Sequence, residues 1–255
     1  MLILAKIVIG FCVGTLIGMT GVGGGVLLLP ILIFALHVPA IVAVGSDALF
    51  NFLTKLGSGY VHLTKGTVRK KLVFGLAAGS IPGSLLGVGL LRDLRLAYGN
   101  GVNTFITTTV GILLLVVPTL LMFQSQIEER VTSRPPTMKS TIGVSAIGLL
   151  AGFLVGMTSV GSGSIIMMLL LLFYSFSPKV MVGTDIVHAV LLTGVTSLLH
   201  FKMGNVDSSL VGLLVIGSIP GGVLGSHLST RMPVPWLRRL LCAVLLATGA
   251  RMLWA

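Results

Sequence analysis

The sequence predicts an all-α integral membrane protein with about eight transmembrane elements, arranged as two homologous four-element repeats. Of its 255 residues, 55% are hydrophobic and only 9% are charged, and several apolar runs reach the roughly 20 residues that a helix needs to cross a hydrocarbon core. These runs are continuous rather than alternating, which argues against an outer-membrane barrel and leaves helices to satisfy the backbone in lipid. The third observation is internal: displacing the chain by 138 residues superimposes its landmarks without a gap. Gly18, Met19 and Thr20 fall on Gly156, Met157 and Thr158, Gly45 and Asp47 on Gly183 and Asp185, and His62 and Gly66 on His200 and Gly204. GSIPG at 79–83 falls on GSIPG at 217–221.

The first element, roughly 5–36, is too long for one ordinary crossing and is interrupted by GMTGVGGG at 18–25. It reads either as a single long broken helix or as two half-length helices in a re-entrant hairpin. Apolar segments follow at 41–62, 72–91 and 99–122, which complete a first membrane repeat over residues 1–123. QSQIEERVTSRPPTMKS at 124–140 is the long polar stretch between the repeats, with Pro135 and Pro136 to stop a helix. The second repeat, 141–255, has elements at 141–176, 180–200, 208–229 and 237–254, the first again interrupted, by GMTSVGSG at 156–163.

A single crossing by the broken element makes the two repeats parallel, and a hairpin makes them inverted. Loop Lys and Arg are asymmetric between the two sides in both cases, and in both KGTVRKK at 65–71 is the strongest cytoplasmic segment. The net charge of +11 therefore reads as orientation and as a field attractive to anions, not as nucleic-acid binding. MLILAK has no basic region ahead of its apolar residues, so no cleaved signal peptide is expected. Cys12 and Cys242 lie in apolar stretches and suggest neither a disulfide framework nor a metal site.

Tandem repeats, each with a discontinuous helix, are a recurring design of secondary transporters, whose solute site lies near mid-membrane where the repeats meet. A break frees backbone N–H groups that must face protein, water or a ligand. Glycine lets an oxyanion approach those donors, and the following half-helix contributes its dipole. The candidate substrate-binding residues at the breaks are thus Thr20, Gly21, Gly23, Gly24 and Gly25 in the first repeat, and Thr158, Gly161, Ser162, Gly163 and Ser164 in the second. Close helix packing is the alternative use of such small residues.

Six acids occur in the chain. Asp93, Glu128, Glu129 and Asp207 are expected in loops, leaving Asp47 and Asp185 in or at the edge of apolar segments, where an ionisable group is costly and functional by default. Asp47, Asn51 and Lys55 form a stripe on one helical face, and Asp185 has Thr193, Thr196 and His200 on a comparable stripe with His188 alongside. Helix N-capping is the competing role for both Asp residues. Lys55, mid-segment and far from either end, reads as an anion contact or an ion-pair partner of an Asp. His62 and His200 close their helices, and His37 and His227 read as interfacial.

The motifs GMTGVGGGVLLLPIL, AVGSD, TKLGSGYVHLTKGTV and GSIPG, followed by GMTSVGSG, VGTD, HFKMGNVD and GSIPG, resemble the sulfite exporter TauE/SafE family over nearly the whole chain. The resemblance implies a multi-pass transporter of the cell (inner) membrane that exports sulfite or related sulfur-containing anions. Ser162 in the position held by Gly24 in the first copy makes the two half-sites unequal. The partners implied are a small anionic solute, with proton coupling open, and membrane lipid. No nucleic acid, cofactor or metal is expected, and no enzymatic activity. Alternatives are a divalent-cation transporter and, more remotely, an intramembrane serine protease with Ser162 as nucleophile and His188 or His200 as base.

Overall fold

The computed structural model describes residues 2–20, 23–132, 141–163, 165–167, 170, 178–229 and 234–254. These residues are all-helical apart from turns: α1 (Leu2–Thr20), α2 (Gly24–Pro30, continued with π geometry over Ile31–Ala35), α3 (Ala40–Thr64), α4 (Lys70–Tyr98), α5 (Gly101–Thr132), α6 (Thr141–Thr158), α7 (Pro178–Lys202), α8 (Ser208–Ser229) and α9 (Val234–Trp254). Ala40–Thr64, Lys70–Tyr98, Gly101–Met122, Val180–Lys202 and Ser208–Gly225 are long and apolar enough to cross a membrane, and shorter apolar helices accompany them. The outside of the bundle carries large apolar side chains, with Ile142 81% exposed and Phe74 69%. That is the surface expected of a protein solvated by lipid.

Local chemistry explains several helix ends. α1 stops where its apolar run meets the glycine cluster, and α3 begins directly after Pro39, whose fixed φ suits the position before a helix. Gly66 and Gly99 take positive φ values of 64° and 54° just beyond α3 and α4, a conformation open to glycine at little cost.

Two expectations from sequence are corrected. Asp47 and Asp185 lie well inside α3 and α7 rather than at their starts, so neither is an N-cap. α4 runs on through Asp93, and α5 through Glu128 and Glu129 to Thr132, so these acids are helical and the polar stretch from 124 begins as helix. QSQIEER is rich in good helix formers, with no glycine or proline until Pro135. Residues 133–140 lie outside the described residues.

Glycine sets the packing. On α4, a Cβ at Gly79, Gly83 or Gly87 would overlap the carbonyls of Ser145, Leu149 or Phe153 on α6. On α8, Gly217, Gly221 and Gly225 stand in the same relation to Ile7, Phe11 and Thr15 on α1. Rising numbers meet rising numbers, so α4 is parallel to α6 and α8 to α1. Backbones in such contact gain dispersion along their whole length, which is how helices associate where lipid removes the hydrophobic driving force.

Two further pairs run the other way. Gly45, Phe52 and Gly59 of α3 meet His200, Gly194 and Val190 of α7, and Gly111 and Pro118 of α5 meet Gly249 and Cys242 of α9. Gly23, Gly24 and Gly25 stand against Lys55, Asn51 and Asp47, so α2 runs antiparallel to α3, back alongside the direction α1 came from. Helices α1, α3 and α8 therefore point toward the turn at 65–69, and α4, α6 and α7 point away from it.

Candidate functional site

The two chain breaks touch each other. The first is the gap between Thr20 and Gly24; the second begins at Ser159, where α6 has ended and φ reverses to 57°, and passes through Gly161 at 94°. The hydroxyl of Thr158 accepts the backbone N–H of Val160 at 3.3 Å and donates to the Leu154 carbonyl at 2.7 Å, bracing this turn. A Cβ placed on Gly163 would lie 3.9 Å from the Gly23 nitrogen, 3.7 Å from Lys55 Nζ and 3.5 Å from Asp185 Oδ2. Glycine at both breaks thus lets two backbones, an ammonium and a carboxylate share one small volume.

The second break is tied to α3 at two points. Ser159 Oγ donates to Asp47 Oδ2 at 2.6 Å, and Asn51 Nδ2 donates to the same oxygen at 2.9 Å. Lys55 Nζ donates to the carbonyl and hydroxyl of Ser162 at 3.3 and 3.2 Å. Lys55 is therefore held by the opposite break rather than paired directly with a carboxylate. Asp47 Oδ1, Asn51 Oδ1 and Asp185 Oδ1 are buried without a hydrogen-bond partner among the described residues. Buried polar atoms are normally satisfied, and leaving one unpaired costs about 1–3 kcal/mol, so three acceptors around one ammonium mark a place prepared for something else.

A cavity of about 530 Å³ leads to this place. It is lined at its inner end by Gly23, Gly24, Asn51 and Lys55, and along its walls by Gly14, Ile17 and Gly18 of α1, Thr54 and Ser58 of α3, Ile186 of α7, and Ser218 and Gly222 of α8. Water occupies about 30 Å³ per molecule in the liquid, so the space admits a small solute with part of its hydration. The α1, α3 and α8 walls all extend toward the C-terminal ends of their helices, and the cavity therefore opens on the side of the 65–69 turn.

The sequence-selected residues fall into four groups. Gly23, Gly24, Gly25, Asp47, Asn51, Lys55, Ser162, Gly163 and Asp185 come together at the breaks. Thr158 and Gly161 shape the second turn, the threonine spending its hydroxyl on backbone. His188 turns to α4, where its Nε2 lies 2.8 Å from Ser80 Oγ. Gly21, Ser164 and the Thr20 side chain lie outside the described residues. Ser159 was not selected, although it was visible as the residue that replaces Gly21 in the second copy. Among the described residues, Ser162 meets Lys55 and no histidine. Among the described residues, no three of His, Cys, Asp and Glu gather as a metal site would require.

The sequence profile of the family described as sulfite exporter TauE/SafE matches residues 6–252. The chain belongs to this family. Among TauE/SafE-like relatives, the probable membrane transporter protein YjnA of Bacillus subtilis (strain 168) is 35% identical over 97% of this chain and 98% of its own length. The probable membrane transporter protein YunE of the same organism is 26% identical over 97% and 96%. The probable membrane transporter protein MJ0441 of Methanocaldococcus jannaschii is 23% identical over 97% and 94%. No solved structure matches the chain. As a TauE/SafE protein with its apolar helices, it is a multi-pass membrane transporter, and the polar breaks lie in the setting such a protein needs: a charged group inside apolar helices with a route to one surface.

Proposed function

We propose that the protein is a secondary transporter that exports sulfite or a related small sulfur-containing anion across the cell (inner) membrane, binding it where the two glycine breaks meet. The observation that carries this reading is the Lys55 ammonium at the inner end of the cavity, beside the backbone of Gly23 and Gly163. An oxyanion there gains a buried cation and approachable backbone at once. In this reading the chain is two inverted repeats. Supporting it, α3 (40–64) and α7 (178–202) have the same bounds after a displacement of 138 residues, and α1 and α6 end at equivalent threonines. The equivalent helices α3 and α7 run antiparallel, as do α5 and α9, and α1–α2 forms a re-entrant hairpin. The side of the 65–71 loop is then cytoplasmic, so the cavity faces the anion's source.

Asp47 and Asp185 give the site two carboxyl groups beside one ammonium, which suits coupling of anion movement to protons. Purified protein titrated with sulfite, thiosulfate, sulfate and small sulfonates tests the solute class, because a ligand of the folded state raises its thermal stability by mass action. Stabilisation by a sulfur oxyanion that disappears in Lys55→Met is the expected result. Stabilisation by divalent cations and by none of the anions would replace this reading with cation transport.

A further inference from the structure

Several positions that line the open cavity have repeat equivalents on the other side of the molecule that are buried. Thr54 is half-buried and Ser58 exposed, whereas their equivalents Leu192 and Thr196 are 0% exposed. Gly222 is half-buried against 0% for its equivalent Ser84, and Gly18 is half-buried where Gly156 is buried. These equivalents stand on α7, α4 and α6, which point away from the 65–69 turn.

The sealed region is polar, unlike an ordinary helix interface. Ser80, Ser84, Thr193, Thr196 and Ser197 are all buried there, and Ser84 Oγ, His188 Nδ1 and His200 Nδ1 have no hydrogen-bond partner among the described residues. Two side-chain contacts join its walls: His188 Nε2 with Ser80 Oγ at 2.8 Å, between α7 and α4, and His200 Nε2 with the Gly156 carbonyl at 3.0 Å, between α7 and α6. Unpaired buried polar atoms cost stability, and that cost is removed whenever the seam opens to water.

We propose that this seam is the second access path, closed here by the His188–Ser80 and His200–Gly156 contacts, and that it opens toward the side of the 203–207 turn when the cavity beside Lys55 closes. Inverted repeats supply the physical basis: two copies of one unit can adopt each other's conformation, and exchanging them moves the opening from one face to the other around a fixed site. The inference rests on the inverted-repeat reading above but not on the identity of the solute.

Cysteine accessibility in sealed vesicles of both orientations tests it, using the full chain with Cys12 and Cys242 replaced and single cysteines at Ser58, Ser84 or Thr196. Ser58→Cys should react with a membrane-impermeant maleimide from the face of the 65–69 turn. Ser84→Cys and Thr196→Cys should react only from the opposite face and roughly tenfold or more slowly, as befits a minor state. Adding His200→Ala should speed labelling at Thr196→Cys several-fold and slow it at Ser58→Cys, a reciprocal change that simple loosening of the fold would not give. Labelling of Ser84→Cys and Thr196→Cys from the same face as Ser58→Cys would overturn the proposal, as would no labelling of either from any face. Sulfite flux measured in the same vesicles separates the two readings: its loss with the two-sided labelling intact would remove the solute assignment and leave the path standing.

Discussion

Ser159 reaches across the molecule to Asp47 with a 2.6 Å hydrogen bond, linking the turn after α6 to the interior of α3. The contact makes one break of the chain the partner of a charge in the other half. Ser159 holds a positive φ of 57°, a conformation that costs a non-glycine residue about 1–2 kcal/mol, so the hydroxyl has been kept at some expense to the backbone. Ser159→Ala should lower stability by about 1–3 kcal/mol, and Ser159→Gly by less, because glycine relaxes the turn. Thermal unfolding in detergent reads both, and an unchanged Ser159→Ala protein would remove the bond from the account.

The glycines of the breaks separate packing from solute contact. A methyl on Gly25 would lie 2.6 Å from the Ser159 carbonyl oxygen and 2.8 Å from Asp47 Oδ2, and one on Gly161 would add strain at φ 94°. Among the described residues, a methyl on Gly23 meets only Lys55 Nζ, at 3.5 Å. Gly23→Ala should therefore fold normally yet lose anion binding, whereas Gly25→Ala should lose stability first. Normal binding by Gly23→Ala would leave the break with a packing role alone.

Lys55 distinguishes the two halves, since its repeat equivalent is the neutral Thr193. Lys55→Met should insert and fold but lose transport by one to two orders of magnitude, equivalent to about 1.4–2.8 kcal/mol, and Lys55→Arg should restore it only in part because a guanidinium has a different shape. If Lys55 instead balances a carboxylate through the site, Lys55→Met with Asp185→Asn should transport better than Lys55→Met alone. Flux in proteoliposomes decides between these.

Orientation is testable with KGTVRKK. A cysteine placed at Thr67 in intact cells should resist a membrane-impermeant reagent and react once the membrane is opened. Ready labelling in intact cells would invert the protein and turn the cavity outward.

The helix contacts predict where side chains are forbidden. Gly79→Val or Gly217→Val should abolish folded, monodisperse protein, because each position abuts a carbonyl of a neighbouring helix. Gly143→Ala, with no atom of the described residues within 4 Å of the added methyl, should be neutral or stabilising by up to about 1 kcal/mol. Size-exclusion profiles and melting temperatures of the three variants check the contrast.

Local signals in the sequence carried far. Apolar run length located the helices, the glycine clusters located both breaks, and the spacing of Asp47, Asn51 and Lys55 correctly put three polar groups on one face of α3. What escaped was set by distance along the chain. GSD and GTD look like helix starts because capping is a local pattern, yet Pro39 and Pro178 begin those helices earlier. That α2 lies antiparallel to α3 is disclosed by the contacts of Gly23, Gly24 and Gly25 with Lys55, Asn51 and Asp47, which no local pattern announces. His188 stood beside Asp185 in sequence, but its partner Ser80 is 108 residues away, and Ser159 meets Asp47 across 112.

The pairing of α1 with α8 has a consequence for how the protein is made. The backbone surface of α1 formed by Gly10 and Gly14 fits Leu214 and Ser218, residues that leave the ribosome long after α1 has entered the bilayer. At synthesis rates of about 5–20 residues per second, α1 waits on the order of ten seconds or more with a groove of bare backbone turned to lipid or to whatever insertion factor shelters it. α6 finds its partner α4 already in place. α1 and α6 are thus made in unequal circumstances: the first waits for its partner, and the second docks on one already present.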